Sequence, residues 1–131
     1  MQIPPDSPFL EFVYLSLFER TRKRVYTDAE MDKVEDTLLE NPEDGDLMAH
    51  TGGVRKTRAA NEGRGKSGSG RVAYLYLKSR QTIYFLLAFP KNVQGNLTDG
   101  QKKEVRGLVA AIKDEDWPYK QQYPSRRRSR Q

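Results

Sequence analysis

The stretch Thr82–Phe89, TIYFLLAF, is apolar on both faces of a strand rather than alternating between an inner and an outer one. A run of that kind belongs inside a sheet, with packed material above and below it. Two further strand-like runs precede it, Val54–Ala60 and Arg71–Leu77. The first is linked to the second by a glycine-rich basic loop, Gly63–Gly70, and the second to the third by the hairpin-turn sequence Lys78-Ser79-Arg80-Gln81. Links this short force antiparallel pairing, because a parallel crossover needs a dozen or more residues.

The rest of the chain supplies helices and one more strand. Phe9–Tyr14 is dense in aromatic and β-branched residues and reads as a buried strand. Leu15–Arg24 reads as a short helix with Leu17 and Phe18 inward. Thr27 and Glu30 have capping-box spacing, Met31, Val34 and Leu38 follow at helical intervals, and Asn41-Pro42 ends the run. Thr98 with Gln101 repeats the pattern before Val105, Leu108, Val109 and Ile112. The expected fold is therefore α+β: an antiparallel sheet of about four strands, two helices in the N-terminal half and one C-terminal helix. Residues 1–8 read as a loose lead-in and residues 9–117 as the domain. Residues 118–131, ending in Ser125-Arg126-Arg127-Arg128-Ser129-Arg130, read as a basic disordered tail.

Charge narrows the partners. The chain has 131 residues, a net charge of +5 and no cysteine. An anionic partner is expected, nucleic acid before membrane surface. Without cysteine there is no disulfide framework, thiol nucleophile or thiolate metal site, which fits the cytoplasm. No run approaches the roughly 18 apolar residues of a membrane helix, and MQIPPDSPFL does not read as a secretory signal. The acidic face of the Thr27 helix (Asp28, Glu30, Asp32, Glu35, Asp36, Glu40) reads first as solvated. It also suits a division of charge that keeps polyanions on the opposite side.

His50 is the only histidine, so a histidine pair cannot perform acid–base chemistry. Gly65-Lys66-Ser67 is not a phosphate-binding loop: Ala60 stands where that pattern needs glycine, and a strand rather than a helix follows. No converging metal-ligand set and no cofactor motif is evident, and no helix-turn-helix signature suggests direct DNA binding. What remains is cation chemistry on phosphate. Arg55, Lys56, Arg58, Arg64, Lys66 and Arg71 lie within one hairpin. Strand alternation puts Lys56 and Arg58 on one face, with Arg71 able to face them across the hairpin. Crowded like charges disfavour the protonated form of a lysine, which frees it to act as a base. Arginines grip phosphate oxygens with paired donors. RNA brings its own nucleophile, the 2′-OH, so such a site could cleave it without histidine or cysteine. The same cations would serve a non-catalytic RNA- or ribosome-binding module, and composition and spacing alone favour that binding reading over catalysis.

The segment TGGVRKTRAANEGRGKSGSGRVAYLYL, followed by IYFLLAFPKN and the helix after LTDGQKKEVRGLV, resembles the HigB-like branch of the RelE bacterial toxins. The resemblance runs from about Thr51 to Ile112. It implies a toxin of a toxin–antitoxin system that cleaves mRNA, usually on the translating ribosome. It also implies a cognate antitoxin, a small helix-turn-helix protein through which alone operator DNA would be contacted. Carried over by position, Arg55, Lys56 and Arg58 match the basic strand, Lys66 the loop lysine, Arg71 the arginine opening the next strand, and Lys91 with Asn92 the "K-N" segment. The implied catalytic set is Lys56, Arg58, Lys66, Arg71 and Lys91. Lys66 or Lys56 would be the base, Arg58 and Arg71 would stabilise the transition state, and Lys91 would position phosphate; Arg55, Arg64 and Asn92 would bind RNA. Val93 stands where the family usually has glutamate, and Pro90 replaces a more typical glycine or alanine.

Overall fold

The computed structural model describes residues 8–22, 26–59, 70–90, 97–114 and 123–130. In chain order the elements are β1 (Phe9–Tyr14), α1 (Ser16–Arg22), α2 (Asp28–Glu40), β2 (Asp46–Leu47), β3 (Arg55–Ala59) and β4 (Gly70–Leu77). A 3₁₀ turn at Lys78–Arg80 leads into β5 (Thr82–Pro90), then α3 (Asp99–Lys113) and β6 (Ser125–Ser129). Both capping boxes form: Thr27 and Glu30 exchange side-chain and backbone bonds of 2.8 and 3.1 Å, Thr98 and Gln101 bonds of 3.0 and 3.1 Å.

The class is α+β as expected, but the sheet is larger and mixed. Six strands lie in the order β2-β3-β4-β5-β1-β6. β3, β4 and β5 are antiparallel neighbours, yet β1 runs parallel to β5. Strands β1 and β5 are separated by α1, α2 and three other strands, so no short link fixes their relative direction. An all-apolar β5 needs a partner on each side, and β1 supplies the second. Around Phe85 the rings of Phe12, Phe18 and Tyr14 stand at centroid distances of 5.8, 5.2 and 4.9 Å.

The expected disordered tail is corrected as well: Ser125–Ser129 is a strand, antiparallel to β1. Its register puts Arg126 and Arg128 opposite Phe12 and Leu10, on the side covered by α2. There the acidic face of α2 receives them. Arg126 reaches Asp32 and Glu35, and Arg128 reaches Glu35 and Asp36. An arginine run that looks purely solvated in isolation is thus neutralised by a helix about ninety residues earlier in the chain.

Two apolar layers enclose the sheet. One, against α1 and α2, includes Phe18, Met31, Val34, Leu38, Val72 and Tyr74. The other, against α3, includes Val54, Ala73, Leu75, Val105, Val109 and Ile112. Between β4 and β5 the pairing shifts: Tyr74 faces Phe85 while Ala73 faces Leu87, so Leu86 is the extra residue of a bulge. Such a bulge re-aims the side chains beyond it. Here it turns Leu87 and Phe89 to the α3 side, where strict alternation would have kept them on the face of Phe85.

Candidate active site

The β3–β4 ladder sets the geometry. Lys56 is paired with Ala73, and Arg58 with Arg71. Cross-strand partners share a face with their Cβ atoms about 5 Å apart. Val54, Ala73 and Leu75 belong to the α3-side layer. Lys56, Arg58 and Arg71 therefore continue that face beyond its apolar part. Arg71 is paired on its other side with buried Phe89, which gives the cations an apolar neighbour. The sequence expectation that Arg71 faces Lys56 and Arg58 across the hairpin matches this register.

The far wall comes from the short edge strand β2, whose Asp46 is paired with Lys56. The loop leading into β2 is pinned from three directions. Gly45 N donates to the Tyr74 hydroxyl at 2.9 Å, and that hydroxyl donates to Pro42 O at 2.9 Å. Arg55 donates to Gly45 O at 2.8 Å and to the Glu43 carboxylate at 3.2 Å. Thr57 Oγ1 donates to Asp44 Oδ2 at 3.0 Å. Gly45 permits this approach, since a Cβ there would stand 2.7 Å from Lys56 O and 2.9 Å from the Tyr74 ring. Burial pushes the Tyr74 phenol up to about 12, so it stays a protonated donor at neutral pH.

The result is a cavity of about 380 Å³ lined by Asp44, Gly45, Asp46, Lys56, Thr57, Arg58 and Arg71. Arg71 also donates to its neighbour's carbonyl, Gly70 O, at 3.2 Å. Tyr26 lies close enough for that guanidinium to matter. Burial pushes the Tyr26 phenol up, and the positive charge of Arg71 works against the rise.

The other elements hold this wall in place. At the turn before β3, Thr51 Oγ1 donates to Met48 O at 2.7 Å and accepts from Val54 N at 3.1 Å. Gly52 and Gly53 there have φ of +82° and +110°, a region closed to most side chains. From α3, Arg106 donates to His50 O and Lys113 to Gly52 O, so two cations of that helix brace the turn. His50 lines a separate cavity with Arg106 and Val109.

Of the residues that the sequence nominates, Lys56, Arg58 and Arg71 meet in one cavity. Arg55 lies on the opposite face of β3, with its guanidinium spent on the Glu43–Gly45 loop. Arg64, Lys66, Lys91 and Asn92 lie outside the described residues. The segment holding Arg64 and Lys66 joins Ala59 to its register partner Gly70, and Lys91 follows Pro90, the other partner of Gly70. Sequence reasoning missed the two carboxylates, Asp44 and Asp46. The available signal was Asp-Gly-Asp just ahead of Leu47-Met48, where a two-residue edge strand begins at Asp46. Among the described residues no group of three or more His, Cys, Asp or Glu is gathered to hold a metal ion.

Fold and site together define a small α+β domain that offers a mixed-charge, predominantly cationic cavity at one edge of its sheet. The family model of the RelE toxin of the RelE / RelB toxin–antitoxin system matches residues 13–117. The chain belongs to the RelE family and is a toxin of a toxin–antitoxin system.

Proposed function

We propose that this toxin is a metal-independent endoribonuclease of the HigB type that cuts translated mRNA on the ribosome, in the cytoplasm, and thereby stops growth. The observation that carries the reading is the pairing of Arg58 with Arg71 inside a cavity that also holds Lys56. Two guanidiniums across one rung offer paired donors to the non-bridging oxygens of a single phosphodiester. They oppose the charge that develops as the 2′-oxygen attacks phosphorus. Lys56 adds a third positive charge, and Lys91 helps to position the phosphate. The 2′-OH proton passes to a base, a role for which the sequence nominates Lys66 or Lys56. Asn92 and Arg64 contact flanking backbone.

Family membership supports an antitoxin partner. We take it to be a small helix-turn-helix protein that neutralises the toxin and alone contacts operator DNA. Inducing the chain in a bacterium is expected to arrest growth and to create new RNA ends inside translated reading frames. Growth arrest without new ends would favour the non-catalytic ribosome-binding reading.

A further inference from the structure

We propose that Asp46, and not a lysine, takes the proton from the attacking 2′-OH. The inference rests on the nuclease reading and assigns a role within it. The cavity holds two carboxylates, Asp44 and Asp46, in different surroundings. Asp44 is tied down by Thr57, which donates to its Oδ2 at 3.0 Å. Asp46 is exposed, and it is paired with Lys56 across the β2–β3 ladder. Partners in a ladder share a face, so Asp46 looks the same way as Lys56, Arg58 and Arg71. One row of the sheet then reads Asp46, Lys56, Ala73, and the next reads Arg58, Arg71, Phe89. The carboxylate stands one strand beyond the lysine and one row from the arginine pair.

Chemistry favours the carboxylate as acceptor. An ordinary carboxylate is ionised at neutral pH and can accept a proton at once, whereas an ordinary lysine must first lose one. Two carboxylates in the cavity also undo the premise of an all-cation cluster on which a lysine base depends. Position matters as much as charge. The wall bearing Asp46 is fixed by Tyr74, Arg55 and Thr57, and a base held on rigid backbone keeps its geometry through the reaction.

The step balances without a cofactor. The 2′-oxygen gives its proton to Asp46 and forms a bond to phosphorus, while the bond from phosphorus to the 5′-oxygen breaks. The 5′-oxygen leaves with a proton from solvent water, and the hydroxide so formed is neutralised when Asp46 releases its proton. The products are a 2′,3′-cyclic phosphate and a 5′-hydroxyl end.

The test uses the full-length toxin with ribosomes programmed by a defined mRNA, under single-turnover conditions. Asp46→Asn is expected to slow cleavage at least 100-fold, within the usual reach of general-base catalysis. Ribosome affinity should stay within threefold or tighten, because a negative charge has left the site. Asp46→Glu should keep cleavage within about tenfold of wild type. The Asp46→Asn defect should persist on a 5′-thio-bridged substrate, whose leaving group needs no proton. A slowing of less than tenfold in Asp46→Asn, beside an active wild type, overturns the assignment and leaves the nuclease reading standing. So does full rescue by the thio-bridged substrate, which would make Asp46 part of the leaving-group chemistry. No cleavage by wild type removes both.

Discussion

Replacing Glu35 by Gln is expected to loosen the C-terminal strand without touching the RNA site. Glu35 is fully buried beneath β6. Its carboxylate accepts from the Tyr14 hydroxyl, from Arg126 Nε at 2.7 Å and from Arg128 Nη1 at 3.3 Å. Glutamine fills the same space and still accepts from Tyr14, but it gives up both charged bonds. Bonds to charged groups contribute about 1.5–3 kcal/mol each. The arginine side chains are 47% and 29% exposed, so water and salt screen them and the low end applies. The remaining pairs, Arg126 with Asp32 and Arg128 with Asp36, involve carboxylates that are 55% and 60% exposed. Those pairs contribute about 0–1 kcal/mol each and cannot hold the strand alone. The loss is then about 3 kcal/mol, against a total stability of about 5–15 kcal/mol for a small domain. Thermal unfolding should show a Tm lower by roughly 10 °C. Limited trypsin digestion should cut at Arg126–Arg128 well before the rest of the chain, and cleavage of RNA by the folded fraction should be unchanged. A Tm within about 2 °C of wild type, with trypsin sensitivity unaltered, would refute the claim that Glu35 anchors β6.

Other perturbations probe the site and its support. Gly45→Ala should displace the Asp44–Asp46 wall from β3, lower stability by about 1–3 kcal/mol and cut RNA cleavage more than it cuts ribosome affinity, as unfolding curves and paired assays would report. Tyr74→Phe should cost about 1–3 kcal/mol in urea unfolding, because Gly45 N and Pro42 O, both in buried residues, lose their shared partner. The stability contributed by the buried phenols should be fully present below pH 10 and fall between about pH 10 and 12. Over that range the unfolded chain releases phenolic protons that folded Tyr74 keeps, and burial raises Tyr14, Tyr26 and Tyr84 as well. Tyr74 alone accounts for about 2–3 kcal/mol of that fall, and equal unfolding midpoints at pH 9 and pH 11.5 would contradict it. Arg58→Ala should reduce the slope of log affinity against log salt by about 0.7–0.9, the share of one phosphate contact, in a binding titration.

Much of this architecture was legible because it depends on local pattern. Thr27 and Thr98 mark their helices through spacing alone, and the Lys78–Gln81 link dictates a hairpin whatever lies around it. The facing of Arg58 and Arg71 follows from pairing the same two runs in register. What the sequence concealed depends on distant partners. The parallel docking of β1 beside β5 has no short link to announce it. Ser125–Ser129 becomes a strand because Asp32, Glu35 and Asp36 compensate its arginines, and neither segment read alone implies the other. Leu86 shifts the β5 register, and only that shift brings Phe89 beside Arg71. Asp46 was hidden in a two-residue edge strand, too short to show any alternation.

The most direct measurement is single-turnover cleavage of ribosome-bound mRNA by Arg71→Ala, made beside its ribosome affinity. A guanidinium that stabilises the transition state is expected to cost 100-fold to 1000-fold in rate when removed, with affinity within threefold of wild type. Rate and affinity falling together in equal measure, or a wild type that binds ribosomes and cuts nothing, would contradict the account of the paired arginines as catalytic.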